Sequence, residues 1–553
     1  MMIKVDEAVQ LLSSLDTEEA NEIANNLKFL YSEIVSKNYG LVFEKQVEEI
    51  DKILENNIPF LAEEKTKRIT NVKEGFNYIL EGDNLAALNI LKKTHKENIQ
   101  VIYIDPPYNR GKQDFIYDDK YINEDDTFKH SKWLSFMEKR LLTAWELLSD
   151  DGVIFVSIDD NEFAQLKMLM DSIFDDQNYV GCLPRVTKKS GKSTTTFSKN
   201  HDYLLIYVKK SSNVFVMKEH IDDGFKYKDE HFDTRGPYKL NQTLDYNTLG
   251  YVHSLDFPIK INDRVFYPGK VSKEGFLERK KDNPKDGFRW RWSKDLVDFG
   301  SENDWIVINE STGRIYTKTY LSATIKKKNG VYNIEYFVRK KPMSTLELIE
   351  NKYSNDNARK ELDKFKLEAK FDYPKPSSLI KRLLQTYYDK NATVLDFFAG
   401  SGTTGQAVAE LNNEDYGNRK FILCTNNEND ICEDITYPRV SQVVRNNKSN
   451  LRFYKIQFLE IKNRMYLEYS DKLLSHMKEL VEFQYGFIWS SDSKYKLLIS
   501  EDELEEFIDA IVKNKYEKVF IGNNILLSAF NKQKILENNI DLYIIPDYYY
   551  RDY

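Results

Sequence analysis

Short, uninterrupted apolar runs alternate along much of the chain with segments in which apolar residues recur every three or four positions. The first pattern is typical of buried parallel strands and the second of amphipathic helices. The predicted strands cover residues 78–80, 101–104, 153–158, 203–208, 394–398 and 421–424. The predicted helices cover residues 85–91, 128–148, 379–388 and 406–411. This alternation predicts an α/β fold in which a doubly wound sheet lies between two layers of helices.

The alternation is interrupted once, and other patterns flank it. Residues 210–370 lack it and predict a separate β-rich module, which follows a polar, hydroxyl-rich loop at residues 187–200. Apolar residues before position 71 have helical spacing, and short strands alternate with helices in the last hundred residues. The predicted domains are a helical region (1–71), the first half of the α/β core (72–210), the inserted module (211–371), the second half of the core (372–445) and a C-terminal α/β domain (446–553).

Charge distinguishes the inserted module from the rest of the chain. The chain has 80 Lys and Arg against 88 Asp and Glu, a net charge of −8, which alone argues against nucleic-acid binding. Residues 181–370, however, contain 37 basic and 26 acidic residues, a local charge of +11. Such a segment suits a module that holds a phosphate backbone, although solvated faces also segregate charge without any partner.

Composition excludes several classes of protein. With 41% hydrophobic and 30% charged residues, the chain is neither collagen-like nor wholly disordered. No apolar run approaches the ~18 residues of a membrane span, and Asp6 and Glu7 interrupt the region where a signal peptide is apolar, so we expect a cytoplasmic protein. Cys182, Cys424 and Cys432 lack the spacing of metal ligands, and we expect no metal site.

A glycine-rich turn joins the predicted strand at 394–398 to the next helix. Its sequence, Phe-Ala-Gly-Ser-Gly-Thr at residues 398–403, brings backbone N–H groups and a helix N-terminus close to a ligand. On this turn alone, a structural role, a nucleotide site and an S-adenosylmethionine site all remain open. It is no P-loop, because no Gly-Lys-Ser/Thr follows, and ATP hydrolysis here is not expected.

The sequence Asp105-Pro106-Pro107-Tyr108 ends the predicted strand at 101–104, and ligands of open α/β sheets bind at such strand ends. The Asp105 carboxylate can accept a hydrogen bond from an amino group, and the two prolines fix a rigid turn. Tyr108 offers a flat face for a base. The structural alternative is a proline-rich turn in which Asp105 is a cap.

Together, these two motifs resemble the signature pair of S-adenosylmethionine-dependent DNA amino-methyltransferases, and the Asp form resembles those that act on adenine. The catalytic motif precedes the basic module and the cofactor motif follows it, as in the circularly permuted β class, whose target-recognition domain lies in between. Further matches are residues 81–85 (Glu-Gly-Asp-Asn-Leu), 201–207 (His-Asp-Tyr-Leu-Leu-Ile-Tyr) and 375–377 (Lys-Pro-Ser). Residues 104–115 and the two terminal regions look most similar to the modification subunit of Type III restriction-modification systems.

The resemblance implies a Rossmann-like methyltransferase fold and a flipped adenine in a pocket at the sheet edge. Tyr108 would stack on the base, and Asp105 and the Pro106 carbonyl would accept its amino hydrogens, with Pro107 completing the catalytic turn. S-adenosyl-L-methionine is the implied cofactor. The residues implied to bind it are Asp83, Asn84, Asp105, Lys375, Ser377, Asp396, Phe398, Ala399, Gly400, Ser401, Gly402, Thr403 and, as the acid nearest the usual ribose-binding position, Glu428.

Double-stranded DNA is the implied substrate. We expect the loop residues Lys188, Lys189 and Lys192 to bind phosphates. We expect Trp290, Arg291 and Trp292 to contribute to recognition of the DNA sequence, with core packing as the alternative for the two tryptophans. The implied partners are a second copy of the chain and a helicase-nuclease restriction subunit. The alternatives are a stand-alone adenine methyltransferase, a cytosine amino-methyltransferase, an RNA or protein amide methyltransferase, and a catalytically silent DNA-specificity subunit.

Overall fold

The computed structural model describes residues 20, 23–24, 41–72, 75–111, 116–117, 120–121, 126–189, 197–210, 213–219, 224–248, 250–261, 263–282, 287–367, 374–460, 477–489, 494–511, 516–522 and 525–545. The chain divides into two compact units, residues 1–216 together with 344–553, and residues 217–343. None of the helices within the described ranges has the length and apolar character that crossing a membrane requires.

A nine-stranded sheet organises the first unit. Its strands are β1 (Asn57–Glu63), β2 (Phe76–Glu81), β3 (Ile99–Ile104), β4 (Leu148–Ile158), β5 (Tyr179–Val186), β6 (His201–Val208), β7 (Thr393–Asp396), β8 (Lys420–Thr425) and β9 (Asn450–Glu460). They lie in the order β1-β9-β2-β8-β7-β3-β4-β6-β5. The strands from β9 to β4 are parallel, whereas β1 pairs antiparallel with β9, and β6 pairs antiparallel with β4 and β5.

Helices cover both faces of this sheet. They are α1 (Glu49–Asn56), α2 (Asn84–Thr94), α3 (Lys129–Leu147), α4 (Phe163–Phe174), α5 (Asn355–Asp363), α6 (Ser377–Leu384), α7 (Thr403–Asp415) and α8 (Tyr437–Asn446). Ile422 and Cys424 of β8 pack in one core cluster with α2, α3 and α4. Phe421 and Leu423, which alternate with them, lie against Gly405 of α7. The predicted three-layer α/β fold is therefore confirmed.

The sheet extends beyond its predicted limits at one edge. Residues 57–63 form β1, although the region before residue 71 has apolar residues at helical spacing, and β9 adds residues from the predicted C-terminal domain. The apolar positions Ile58, Phe60 and Leu61 fit either element, so periodicity alone does not decide between them. Pairing with β9 makes β1 an edge strand, where Pro59 is tolerated because one side of the strand needs no donor.

The C-terminal residues form a second, smaller sheet. Parallel strands β10 (Tyr495–Leu498), β11 (Lys518–Gly522) and β12 (Asp541–Ile545) accompany helices α9 (Glu501–Ala510) and α10 (Ala529–Glu537). Phe520 and Ile545 of these strands belong to the same core cluster as β2 and β3. Residues 477–485 are helical, in agreement with the helices predicted among the last hundred residues.

The second unit, residues 217–343, lies within the predicted inserted module and consists mainly of antiparallel strands. Its strands are Lys218–Glu219, Tyr238–Thr243, Asp245–Thr248, Ile259–Ile261, Arg264–Phe266, Gly287–Trp290, Ile306–Asn309, Arg314–Tyr320, Ala323–Lys328, Val331–Tyr336 and Lys340–Lys341, and its helices are Phe232–Arg235, Lys273–Asp282 and Lys294–Glu302. Leu244, Trp290 and Ile315 form the centre of one of its cores.

Candidate active site

The carboxyl ends of four neighbouring parallel strands bring the two sequence motifs together. The Asp105–Tyr108 turn follows β3, and the glycine-rich turn follows β7, which pairs directly with β3 through Val394 with Val101 and Leu395 with Ile102. Asp83 follows β2, and Glu428 follows β8. Parallel strands present their carboxyl ends at one edge, which is where open α/β sheets bind ligands.

Hydrogen bonds fix the Asp105–Tyr108 turn in place. The buried Trp133 of α3 donates from Nε1 to the Pro107 carbonyl at 2.7 Å. The Tyr108 hydroxyl donates to Asp105 Oδ1 at 2.8 Å. Burial, together with the charge of Asp105, raises the pKa of Tyr108 well above its usual value, so Tyr108 is a neutral hydrogen-bond donor at physiological pH.

Lys375 links the two halves of the site. Its Nζ lies 2.5 Å from each oxygen of Asp105 and 3.0 Å from the Tyr108 hydroxyl. The side chain is buried, and this desolvation lowers the pKa of Lys375 while the Asp105 charge opposes the shift. The sequence motif associates Lys375 with the cofactor, whereas the structure places its ammonium group on the Asp105 carboxylate.

A buried ion pair between Arg185 and Asp202 stabilises this arrangement. Asp202 Oδ2 lies 3.4 Å from the Tyr108 hydroxyl, and Arg185 donates from Nε to Asp202 Oδ1 at 2.8 Å. Arg185 also donates from Nη1 to the Tyr353 carbonyl at 2.8 Å, which ties β5 to the segment before α5. Asp202 lies in a motif that the sequence points out, but Arg185 has no sequence signal and was not predicted.

The glycine-rich turn is held by its own side chains. Asp396 accepts from the Phe398 N–H at 3.0 Å and from the Thr404 hydroxyl, and burial raises the pKa of Asp396 to about 7. Gly400 and Gly402 have φ values of 47° and 76°, which favour glycine. Ala399 is buried, and its N–H donates to the Cys424 carbonyl at 3.1 Å, which ties the turn to β8.

The hydroxyls of this turn converge on Arg439 of α8. Arg439 Nη1 donates to Ser401 Oγ at 2.9 Å and to Thr403 Oγ1 at 2.8 Å. The Thr403 hydroxyl in turn donates to the Lys375 carbonyl at 3.2 Å. Burial lowers the pKa of Arg439 to about 10, so the guanidinium stays charged at neutral pH. Sequence reasoning did not identify Arg439.

The remaining predicted cofactor residues have structural partners. Asp83 caps α2 by accepting from the Leu85 N–H at 2.7 Å. Asn84 donates from Nδ2 to the Phe397 carbonyl at 3.0 Å, which joins the start of α2 to the residue after β7. Ser377 begins α6, and its N–H donates to Glu361 Oε2 at 2.8 Å. Glu428 is exposed in the short turn after β8.

The predicted DNA-contact residues differ in exposure. Lys188 and Lys189 are exposed, while Lys192 lies outside the described residues. Trp290 is buried in the core of the second unit, and its Nε1 donates to the Phe257 carbonyl at 2.6 Å, so core packing describes this side chain. Trp292 is half-buried against two core clusters, and the exposed Arg291 lies 4.1 Å from the centroid of the Tyr246 ring.

Comparison with known proteins agrees with the two motifs. The chain is 31% identical, over 68% of its length, to the Type III restriction-modification enzyme StyLTI Mod subunit of Salmonella typhimurium and 32% identical, over 67%, to the EcoPI Mod subunit of Escherichia phage P1. It spans 56% and 61% of the length of these two relatives. It is also 32% identical to the Type II methyltransferase M.KpnI of Klebsiella pneumoniae, over 66% of this chain and 84% of that protein.

A family model described as DNA methylase matches residues 99–437, which include both the Asp105–Tyr108 turn and the glycine-rich turn. This match covers more than half of the chain and confirms the resemblance that the motifs carry. The chain belongs to the N6/N4 DNA methylase family.

Proposed function

We propose that this chain is a site-specific DNA methyltransferase that transfers the methyl group of S-adenosyl-L-methionine to the exocyclic 6-amino group of a flipped adenine. The observation that carries the proposal is the adjacency of the two turns at the ends of β3 and β7, joined by Lys375. A methyl donor and an acceptor amine must lie within contact of each other, and two turns on paired strands provide such a site.

The residues at this sheet edge fit the proposed cofactor. Left-handed Gly400 and Gly402 keep the backbone of the turn free of side chains, and Phe398 offers a ring next to Phe136 of α3, with centroids 5.8 Å apart. Asp83 and Glu428 supply carboxylates for ribose hydroxyls, and Lys375 supplies a cation for the methionine carboxylate. When bound, S-adenosyl-L-methionine supplies an electrophilic methyl group on a sulfonium.

The residues of the catalytic turn would prepare the amine. The lone pair of an exocyclic amine is delocalised into the base, and hydrogen-bond acceptors on both amino hydrogens localise it toward the methyl donor. A carboxylate has about four lone-pair sites, so Asp105 can accept from an amino hydrogen while it remains bonded to Lys375. The Pro106 carbonyl would accept the second hydrogen, because the Pro107 carbonyl already accepts from Trp133. No histidine or cysteine base is required.

Adenine is the proposed target because an aspartate occupies position 105. A cytosine amino-methyltransferase more usually has serine there, and an RNA or protein amide methyltransferase has asparagine. The test is to methylate plasmid DNA with the purified chain, digest the DNA to nucleosides and identify the modified base. We expect N6-methyladenine; N4-methylcytosine would replace the proposal with the cytosine alternative, and no modified base would favour a silent specificity subunit.

Assembly is proposed from the named relatives. The Type III Mod subunits among them suggest that this chain is the modification subunit of a cytoplasmic restriction system, a homodimer that pairs with a helicase-nuclease subunit. M.KpnI instead supports a stand-alone methyltransferase. Co-purification of a helicase-nuclease from the source cell decides between them, and sedimentation at micromolar concentration tests the dimer.

Replacing Lys375 with methionine should weaken binding of S-adenosylmethionine by roughly 10- to 100-fold, because a hydrogen bond to a charged group contributes about 1.5–3 kcal/mol. Titration calorimetry measures this affinity. Lys390→Met, which removes an exposed lysine of the same half of the core, is the matched control and should bind normally. Unchanged affinity in Lys375→Met would place the methionine carboxylate elsewhere.

Replacing Lys188 and Lys189 with alanine should weaken binding to every DNA sequence and lower the slope of log K against log salt by about 2, since each phosphate contact contributes about 0.9. Fluorescence anisotropy at several KCl concentrations measures the slope. A double alanine variant at Lys532 and Lys534 of α10 removes the same charge elsewhere and serves as control. Equal slopes in both variants would show that residues 188 and 189 contact no phosphate.

A further inference from the structure

A buried carboxyl group lies directly beside the catalytic turn. Asn109 follows Tyr108 with a left-handed φ of 57°, and its side chain is buried. Asn109 Nδ2 donates to the Lys129 carbonyl at 3.1 Å and to Glu162 Oε1 at 2.6 Å. Glu162, with a fully buried side chain, directly precedes α4, and its Oε1 also lies 2.7 Å from His130 Nδ1.

Glu162 and Asn109 each have one side-chain oxygen that lacks a hydrogen-bond partner among the described residues. Among the described residues, neither Glu162 Oε2 nor Asn109 Oδ1 has a hydrogen-bond partner, although both atoms are buried. A carboxylate oxygen and an amide oxygen are both acceptors, so the two cannot bond to each other without a proton. Leaving a buried acceptor without a hydrogen bond destabilises the folded state, and this penalty would arise twice here.

A proton on Glu162 Oε2 removes both deficits. Because Asn109 Nδ2 already donates to Oε1 at 2.6 Å, the new hydroxyl would donate to Asn109 Oδ1 and close the two-bond ring that a carboxylic acid forms with an amide. Oε1 is then a carbonyl oxygen, whose two lone pairs match Asn109 Nδ2 and, in the tautomer that carries its proton on Nδ1, the His130 ring.

We infer that Glu162 is protonated in the folded protein and acts as a positioning residue, pairing with Asn109 as acid with amide and so fixing the turn that carries Asp105 and Tyr108. The positioning role rests on the proposed function, whereas the protonation state does not. Without this pair, Asn109 loses the partner that holds it between α3 and α4, and the catalytic turn is free to shift.

The charges around Glu162 support a neutral acid. Burial raises the pKa of Glu162 to about 8, and the Asp159 carboxylate adds to the shift, whereas the Asn109 bond and the Lys129 charge oppose it. Arg110 donates from Nε to Asp159 at 2.8 Å, and Gln165 of α4 lies 3.3 Å from His130 Nδ1. Burial also lowers the pKa of His130, so the imidazole beside Glu162 Oε1 is neutral.

Protonation has a direct consequence for stability. The pKa of Glu162 is higher in the folded protein than the value of 4.5 expected in the unfolded chain, so the folded state binds one more proton between about pH 4.5 and 8. Stability from this group is fully present below pH 4.5 and is lost as pH rises through about 8. Over that window, the contribution of Glu162 should raise the unfolding equilibrium constant about tenfold per pH unit.

Glu162→Gln is the decisive variant because glutamine copies the protonated acid, with an N–H in place of the O–H. The unfolding equilibrium constant of the wild type relative to that of Glu162→Gln, measured by urea denaturation, should rise about tenfold per pH unit over this window. The catalytic rate of Glu162→Gln should stay near the wild-type rate and persist above pH 8, where the wild-type rate falls. Glu162→Ala should lose rate at every pH. His130→Gln should keep the wild-type pH dependence, since the proton is assigned to Glu162 and not to His130.

Infrared spectroscopy of the protein with isotope-labelled glutamate detects the protonated carboxyl group of Glu162 directly. In the wild type, we expect the carbonyl band of a protonated carboxyl group at pH 7, and this band should disappear as pH rises through about 8. The band should be absent in Glu162→Gln. It should shift in Asn109→Ala, which keeps the acid but removes its partner. A pH-independent difference between wild type and Glu162→Gln, or the absence of the band, would overturn the inference. Inactivity of the wild type towards DNA, with the band present, would instead reject the proposed function and leave the protonation intact.

Discussion

Replacing Asp105 with alanine is expected to reduce methyl transfer by at least about a thousandfold, at the upper end of what the loss of one positioned group at a reacting centre costs. The substitution removes the acceptor of an amino hydrogen and the partner of Lys375 together. Affinity for S-adenosylmethionine should stay within about threefold of wild type, because a released Lys375 remains available to the methionine carboxylate. Transfer of a radiolabelled methyl group to DNA and titration calorimetry measure the two effects.

Stability must be followed in the same variant. Lys375 is buried, and loss of its charged partner should cost roughly 1.5–3 kcal/mol in the free energy of unfolding. Asp105→Asn keeps the size of the side chain and one acceptor oxygen, and Asp150→Ala removes an exposed carboxylate as a control for charge. If Asp105→Ala loses cofactor binding as well as transfer while it remains folded, the separation of catalytic and cofactor roles is wrong.

Gly402→Val is expected to destabilise the glycine-rich turn by about 2–5 kcal/mol and to abolish cofactor binding. Gly402 has a φ of 76°, which a β-branched residue does not tolerate, and an added Cβ would lie 2.8 Å from Val440 Cγ2 and 3.2 Å from Thr436 Cγ2. The first collision is therefore with the segment at the start of α8, and the turn must move away from that helix.

Urea denaturation and calorimetric titration of S-adenosylmethionine test this prediction. Gly181→Val is the matched control, because Gly181 lacks a positive φ and a Cβ there would meet no atom within 4 Å. Gly181→Val should retain both stability and binding. A folded Gly402→Val protein with normal cofactor affinity would show that the turn does not hold the cofactor.

The sequence by itself determined the features that are local. Apolar runs of three to six residues predicted the central strands, because a strand buried on both faces needs an apolar residue at nearly every position. The Asp105–Tyr108 and Phe398–Thr403 motifs pointed to the family, since their chemistry depends on neighbouring residues and on backbone that proline and glycine control. Edge strand β1 was missed, because its spacing of apolar residues fits a helix equally well.

Only the tertiary structure decided which distant groups meet. Lys375 lies 270 positions from Asp105 along the chain, and no local pattern predicts that its ammonium rests on that carboxylate. The same holds for Arg439 beneath the glycine-rich turn and for Glu162 beside Asn109. Burial also decided that Trp290 is a core residue, a choice that its sequence left open. The physical reason is that hydrogen-bond satisfaction and desolvation depend on the complete set of neighbours, and folding alone assembles that set.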